Sequence, residues 1–161
     1  MKIGVLSDTH VPDRQDEIPA AILEGLRGVD IIVHAGDLTC LEVIDTLARI
    51  APVRAVSGNM DPPEVRSKLG ETLVFRAGGK TIAVLHGRGS PEDTENRARS
   101  SFPEADVVIF GHTHRSFVEQ RGKTLLLNPG SAWAFLGWRS SYAIIRWENG
   151  GDRPAAEIYR V

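Results

Sequence analysis

The chain has a single cysteine, Cys40, among 161 residues. One thiol excludes an internal disulfide and a cysteine-built zinc finger, and it suits a reducing compartment. Excess basic charge is also missing: 19 lysines and arginines face 21 aspartates and glutamates, a formal net charge of −2. That balance lacks the basic footprint that grips phosphate backbones, so no stable nucleic-acid partner is expected. No apolar run approaches the roughly 20 residues of a membrane helix. The opening MKIGVLSD is too poor in apolar residues for a signal-peptide core. The expectation is a cytoplasmic protein with no membrane partner. The first strand-like run leads into SDTHVPDR, without the glycine-rich phosphate loop of a dinucleotide-binding βαβ unit. What is present is a 42% apolar chain of a length that makes one domain, read over residues 1–161.

Apolar runs of strand length alternate with helix-like segments in the first half. KIGVLSD (2–8), DIIVHAGD (30–37) and VRAVSGN (53–59) read as strands that end in polar residues. Between them, residues 17–27 place Ile18, Ile22, Leu23 and Leu26 on one helical face and stop at Gly28. A second helix, carrying Leu41, Ile44 and Leu47, opens with Thr39 and Glu42 in capping-box spacing and takes in Cys40 as a small buried residue. This β-α-β-α-β order predicts parallel strands with right-handed crossovers. The polar DPPEVRSKLG (61–70) reads as a surface loop. TLVFRA and KTIAVLHG flank Gly78-Gly79 as a hairpin, and Ser90-Pro91 marks the start of another helix. ADVVIFG, SFVEQRG, KTLLLN, SYAIIRWENG and AEIYRV follow as short strands. The expected fold is α/β, with two mixed sheets packed together and helices outside.

The histidines fall into one pattern. His10, His34, His86, His112 and His114 all lie at or just past the C-terminal end of an apolar run, in VLSDTH, IIVHAGD, AVLHG and VIFGHTH. Asp8, Asp37 and Asn59 hold the same kind of position. Ligands of open α/β sheets bind outside the carboxyl ends of strands, so these scattered residues can converge. Histidine, aspartate and asparagine without cysteine form the mixed nitrogen and oxygen donor set of a transition-metal site. Without His34, the seven side chains exceed one tetrahedral ion and suit two metals sharing a carboxylate. His34 is set apart, because it lies on the strand itself and reads as a satisfied core histidine or a support for a ligand. Taken singly, D-x-H or H-G is an ordinary strand-end cap or turn; the bland reading of the whole set must explain five strand ends independently.

D-x-H at Asp8 to His10, G-D at Gly36-Asp37, G-N-x-D at Gly58 to Asp61, H-G at His86-Gly87 and G-H-T-H at Gly111 to His114 resemble, in order, the five motifs of the calcineurin-like metallophosphoesterase superfamily. The short length and N-P-G-S at Asn128 to Ser131 resemble its small YfcE-like single-domain phosphodiesterases. The resemblance implies a four-layer α/β/β/α sandwich of two mixed β-sheets flanked by helices. It implies one metal held by Asp8, His10, Asp37 and His114, and a second held by Asp37, Asn59, His86 and His112, with Asp37 as the bridge. Two divalent transition-metal ions, manganese foremost and zinc, iron, nickel or cobalt as alternatives, are the implied cofactors. The implied activity is hydrolysis of a small phosphate ester, most readily a phosphodiester, by a hydroxide bridging the metals. Asp37, Asn59 and His112 then serve catalysis as well as metal binding. Two readings stand beside it: a phosphomonoesterase, and a protein-binding scaffold of the same fold, as in the retromer subunit that resembles this branch.

Two positions depart from the family pattern. Met60 stands where many members have a histidine that assists the leaving group, which leaves water or Asp61 to supply the proton. Arg88 follows H-G where relatives often have another histidine, and its planar fork suits a clamp on a phosphate oxygen. Otherwise it is a solvated loop residue. In WAFLGW, Trp133, Phe135 and Trp138 fit a substrate pocket, a core, or an interface in a homo-oligomer. Asn128 and Ser131 read as a turn, or as supports for the ligands.

Overall fold

The computed structural model describes residues 1–134, 137–148 and 153–161. Its first half runs β1 (Lys2–Leu6), α1 (Ala20–Gly25), β2 (Ile31–His34), α2 (Glu42–Ala48), β3 (Val53–Ala55) and α3 (Pro63–Lys68). The chain then forms the hairpin β4 (Thr72–Ala77) and β5 (Lys80–Leu85) and passes through α4 (Pro91–Ser101) to β6 (Val107–Phe110). It closes with β7 (Ser116–Arg121), β8 (Thr124–Pro129), β9 (Ser141–Arg146) and β10 (Ala155–Arg160).

The strands form two five-stranded sheets, ordered β10-β9-β1-β2-β3 and β4-β5-β6-β8-β7. In the first, β1, β2 and β3 are parallel and β9 and β10 run against them. In the second, β5, β6 and β8 are parallel, with β4 and β7 antiparallel at the edges. Both sheets are therefore mixed.

Alternation along each strand sorts the side chains into layers. Ile3, Val5 and Val33 of the first sheet meet Ile82, Val84, Val107 and Ile109 of the second in the central core. On the outer face of the first sheet, Leu6 and Ile32 pack with Ile22, Leu26 and Leu47. On the outer face of the second, Val108, Phe110 and Leu126 pack with Ala98 of α4. The result is the expected α/β/β/α sandwich. Covering both faces explains why β6 reads as an unbroken apolar run: all four of its residues are buried. Each such aliphatic side chain contributes about 1.5–3 kcal/mol on burial, and the strand ends at the site are anchored to this core.

Three local expectations are corrected. Residues 61–70 contain the helix α3, with Pro62 before it, Pro63 at its first position, Glu64 in its first turn and Arg66 and Lys68 in its last. Its start and charge signals were present, but Val65 is its only buried residue, so apolar periodicity was silent. Helix α1 is shorter than residues 17–27. Helix α2 begins at Glu42 with no side-chain cap: the Thr39 hydroxyl donates instead to the Val11 carbonyl at 2.6 Å. Cys40 accordingly precedes the helix and is half-buried. At α4 the expected cap is present, with Asp93 N–H donating to Ser90 Oγ at 3.1 Å and the Asp93 carboxylate closing the box.

Candidate metal centre

Among the described residues, six that are not glycine have left-handed backbone: Asp8 (φ 56°), His10 (49°), Asp37 (56°), Thr39 (71°), His112 (69°) and His114 (57°). They occur at i and i+2 in the three loops that follow β1, β2 and β6. This conformation costs an ordinary residue about 1–2 kcal/mol, so it persists only where the surroundings over-determine it. Five of the six are expected metal ligands.

Tertiary hydrogen bonds hold these loops. Asp61, fully buried, accepts the backbone N–H groups of Thr39 (2.7 Å), Gly58 (2.7 Å) and Asp37 (3.1 Å). The N–H groups of Asp8 and His10 donate to the carbonyls of Gly36 and Asp37, each at 3.0 Å. Gly58 is required by close approach, since a Cβ there would lie 2.2 Å from Asp37 Oδ1. At Gly36, a Cβ would lie 2.7 Å from His86 Nδ1.

The side chains converge in two overlapping groups, Asp8 with His10 and His114, and Asp8 with Asp37 and His86, whose candidate donor atoms lie within 4.8 Å of one another. Asp8 Oδ1 is 3.1 Å from His114 Nε2 and 3.9 Å from both His10 Nε2 and His86 Nε2. Asp37 Oδ2 is 3.1 Å from His86 Nε2 and 3.9 Å from His10 Nε2. Both carboxylates thus face both groups. Asn59 Oδ1 lies 3.2 Å from His86 Nε2 and 2.9 Å from His112 Nδ1. All seven expected ligands are brought to one place.

The ring tautomers follow from the backbone. His86 Nδ1 donates to the Ala35 carbonyl at 2.7 Å and His112 Nε2 donates to the Gly89 carbonyl at 2.9 Å. In neutral rings, the state that ligates a metal, the other nitrogens turn lone pairs towards Asn59 Oδ1, and a cation between them would satisfy all three. Asp8 Oδ1 and both ring nitrogens of His10 are buried without an aligned hydrogen-bond partner, which is costly unless they ligate something.

Electrostatics point the same way. Burial opposes the charge of Asp8, yet His86 and His114 beside it outweigh burial and hold its carboxyl at about 2. Burial also opposes a proton on His86, but Asp8 and Asp37 push it up to about 9. The Asp8 carboxylate beside it raises His114, whereas burial lowers His10 against the pull of the carboxylates. The centre demands positive charge, and divalent cations ligated by these groups meet that demand.

Residues 1–150 match the sequence profile of the calcineurin-like phosphoesterase superfamily domain. The chain belongs to this superfamily. A probable metallophosphoesterase of Methanothermobacter thermautotrophicus is 40% identical over 166 aligned residues, covering 99% of this chain and 92% of the relative. A phosphodiesterase of Methanocaldococcus jannaschii is 29% identical, covering 84% of this chain and 87% of its own. The structure of vacuolar protein sorting protein 29 from Entamoeba histolytica, solved with zinc, is similar at a TM-score of 0.74 and 26% identity over 99% of each chain. Membership in the calcineurin-like phosphoesterases carries hydrolase chemistry and divalent metal at the coarse level.

The remaining candidates of this phosphoesterase take varied places. His34 is buried, accepts the Gly36 N–H on Nδ1 at 3.2 Å and meets Thr9 Oγ1 through Nε2 at 3.1 Å. Burial drives its pKa down to about 3, so it is a neutral bridge between the first two site loops. Asn128 donates to the carbonyl of Gly111, and Ser131 to that of Asp8. Both brace the loops. Asp61, the candidate proton source, accepts backbone N–H groups on both oxygens and braces the loops. Met60 contributes its N–H to Asp37 Oδ1 at 2.7 Å while its side chain is exposed. Trp133 meets His10 edge-on at 5.7 Å and His114 at 6.2 Å, so it lines the centre. Trp138 is exposed in the neighbouring cleft, and Phe135 lies outside the described residues. Arg88 is exposed beside Asn59 and His86. Sequence reasoning missed the bracing work of Thr9 and Thr39; their positions inside D-x-H and two residues after G-D were the available signal.

Proposed function

We propose that this phosphoesterase is a metal-dependent phosphodiesterase with a dinuclear centre. Asp8, His10, Asp37 and His114 hold one ion, and Asp37, Asn59, His86 and His112 hold the other, with Asp37 between them. The carrying observation is the convergence of His86 Nε2 and His112 Nδ1 on Asn59 Oδ1, with the other nitrogen of each ring held by a backbone carbonyl, beside the buried ligand atoms of Asp8 and His10. Mixed imidazole and carboxylate ligation favours transition metals, manganese foremost, over a site dedicated to magnesium. When bound, the ions supply an activated water at neutral pH and positive charge for the phosphoryl oxygens.

The chain's own residues set the conditions for that chemistry. The Ala35 and Gly89 carbonyls fix the tautomers of His86 and His112. Asp61 and His34 lock the loops that carry Asp37, Asn59, Asp8 and His10. Trp133 covers the His10 and His114 side and limits solvent there. Arg88 stands beside the centre as a binding residue for anionic substrate, and Met60, where many members of the family carry a histidine, cannot donate a proton to a leaving group. Diesters with good leaving groups are therefore the favoured substrates.

The test is hydrolysis of an activated aryl phosphodiester by chelator-stripped protein, with and without added manganese, and with the Asp37→Ala variant. Turnover that needs metal and vanishes in the variant is expected. Absence of turnover from folded protein that has bound manganese, zinc, iron, nickel or cobalt would favour the scaffold reading, which the likeness to vacuolar protein sorting protein 29 keeps in view. Preference for monoesters would assign a phosphomonoesterase.

A further inference from the structure

The centre opens on two unlike sides. Towards His114 the adjoining cleft sets the indoles of Trp133 and Trp138 beside Arg115 and Arg139. Towards His86 and Asn59 it continues into a cleft of about 390 Å³ that carries three guanidinium groups, Arg66, Arg88 and Arg97, against a single carboxylate, Glu71. These arginines come from separate parts of the chain: Arg66 from α3, Arg88 from the loop after β5, and Arg97 from α4. Among the described residues none of the three is in an ion pair; the pairs that form use Arg27, Lys68, Arg99, Lys123 and Arg146. A local surplus of unpaired cations on a chain of net charge −2 marks a site for an anion.

The cleft is more than a clamp on the scissile phosphate. It runs from Asn59 and His86, at the centre, out to Arg97 and Ser101 of α4. Arg66 is held by a 2.5 Å hydrogen bond from Nη2 to the Asn59 carbonyl, which ties the arginine side of the cleft to the ligand loop. Arg66 and Arg88 are exposed and Arg97 is half-buried, and their planar forks suit a terminal phosphate, which accepts paired N–H donors.

We propose that the Arg66, Arg88 and Arg97 cleft is a subsite for a second anionic group, so that the preferred substrates are phosphodiesters bearing a terminal phosphate on the arm that lies past Asn59. This rests on the phosphodiesterase reading and adds the class of substrate. Such a contact is made equally before and during bond cleavage, so it acts mainly on KM.

The test compares manganese-loaded protein on matched aryl phosphodiesters whose second arm carries a terminal phosphate, a carboxylate, or a neutral group of equal size. Release of the aryl alcohol is followed for wild type and for the Arg88→Gln/Arg97→Gln double variant. The phosphate-bearing ester is expected to be preferred over the neutral one by about tenfold in kcat/KM, through KM, and the variant's preference is expected to fall within about twofold of unity. Equal kcat/KM for phosphate and neutral arms in wild type, or an undiminished preference in the variant, overturns the subsite. A stronger preference for the carboxylate overturns its assignment to phosphate. Failure to hydrolyse any of the esters with metal overturns the phosphodiesterase reading, and the subsite with it.

Discussion

Strand β6 and the loop that follows it are neighbours in sequence and differ in every physical respect. Val107, Val108, Ile109 and Phe110 are extended, apolar and at most 1% exposed. His112 and His114, directly beyond, have left-handed backbone and polar rings turned towards carboxylates or an amide oxygen. The same contrast separates β1 from Asp8 and His10, and β2 from Asp37. Strand bodies contribute burial energy; strand ends hold strain and unsatisfied polar atoms. A rigid core is what lets costly geometry persist at the ends without relaxing.

The largest test of this contrast is a crossed pair of substitutions. Asp37→Ala is expected to lower kcat by at least about a thousandfold, as loss of a metal ligand does, while leaving the fold intact. Ile109→Ala is expected to cost about 2–5 kcal/mol of stability with kcat per folded molecule unchanged. Denaturant titration and turnover on both variants provide the readouts, and similar losses of both properties in each would erase the division between body and end.

Acidity sharpens it next. In the metal-free protein, His86 binds its proton more tightly folded than unfolded, with a pKa of about 9 against 6.5. This contribution to stability is complete below pH 6.5 and is lost as pH rises through about 9. Asp8, held at about 2 against 3.8, acts in the opposite sense: its contribution is present above pH 3.8 and is lost as pH falls through about 2. Metal must displace the His86 proton, so loading is expected to release protons and to flatten the alkaline loss. Urea midpoints of stripped and loaded protein across this range, with calorimetry in buffers of different ionisation enthalpy, check both. A stripped protein equally stable at both pH limits of the His86 window would contradict the electrostatic account.

At the boundary between body and end, His34→Ala is expected to lower metal affinity or kcat by about 10–100-fold, the usual cost of removing a ligand's support. Rescue by His34→Gln of metal affinity, read by calorimetry, would identify the bridging hydrogen bond as the cause. The smallest effect is expected at Met60→Leu. Only the backbone of Met60 bonds Asp37, so kcat should stay within about twofold, and a tenfold loss would give the side chain a part in the reaction.

Much of this architecture was legible in the residue order. β-branched and aliphatic runs marked every strand, and Gly78-Gly79 and Ser90-Pro91 marked a hairpin and a helix start. Helix α3 was hidden because it buries one residue, and the apparent Thr39 cap failed because Asp61 and Val11 claim that residue's N–H and hydroxyl. At the centre, donor types and their places after strands were readable from D-x-H, G-D, G-N, H-G and G-H-T-H. The left-handed backbone at five of those residues was not, since aspartate and histidine only tolerate it somewhat better than most residues and long-range bonds impose it.

The sequence by itself determined where the strands lie along the chain, the apolar faces and the chemical identity of the donors, because periodicity and residue type are local properties. Tertiary structure alone decided which lone pairs meet, which carbonyls set the histidine tautomers, that Asp61 braces the loops, and that Arg66, Arg88 and Arg97 share a cleft. Those outcomes depend on backbone direction and on contacts between residues far apart in the chain, which form only when the two sheets pack.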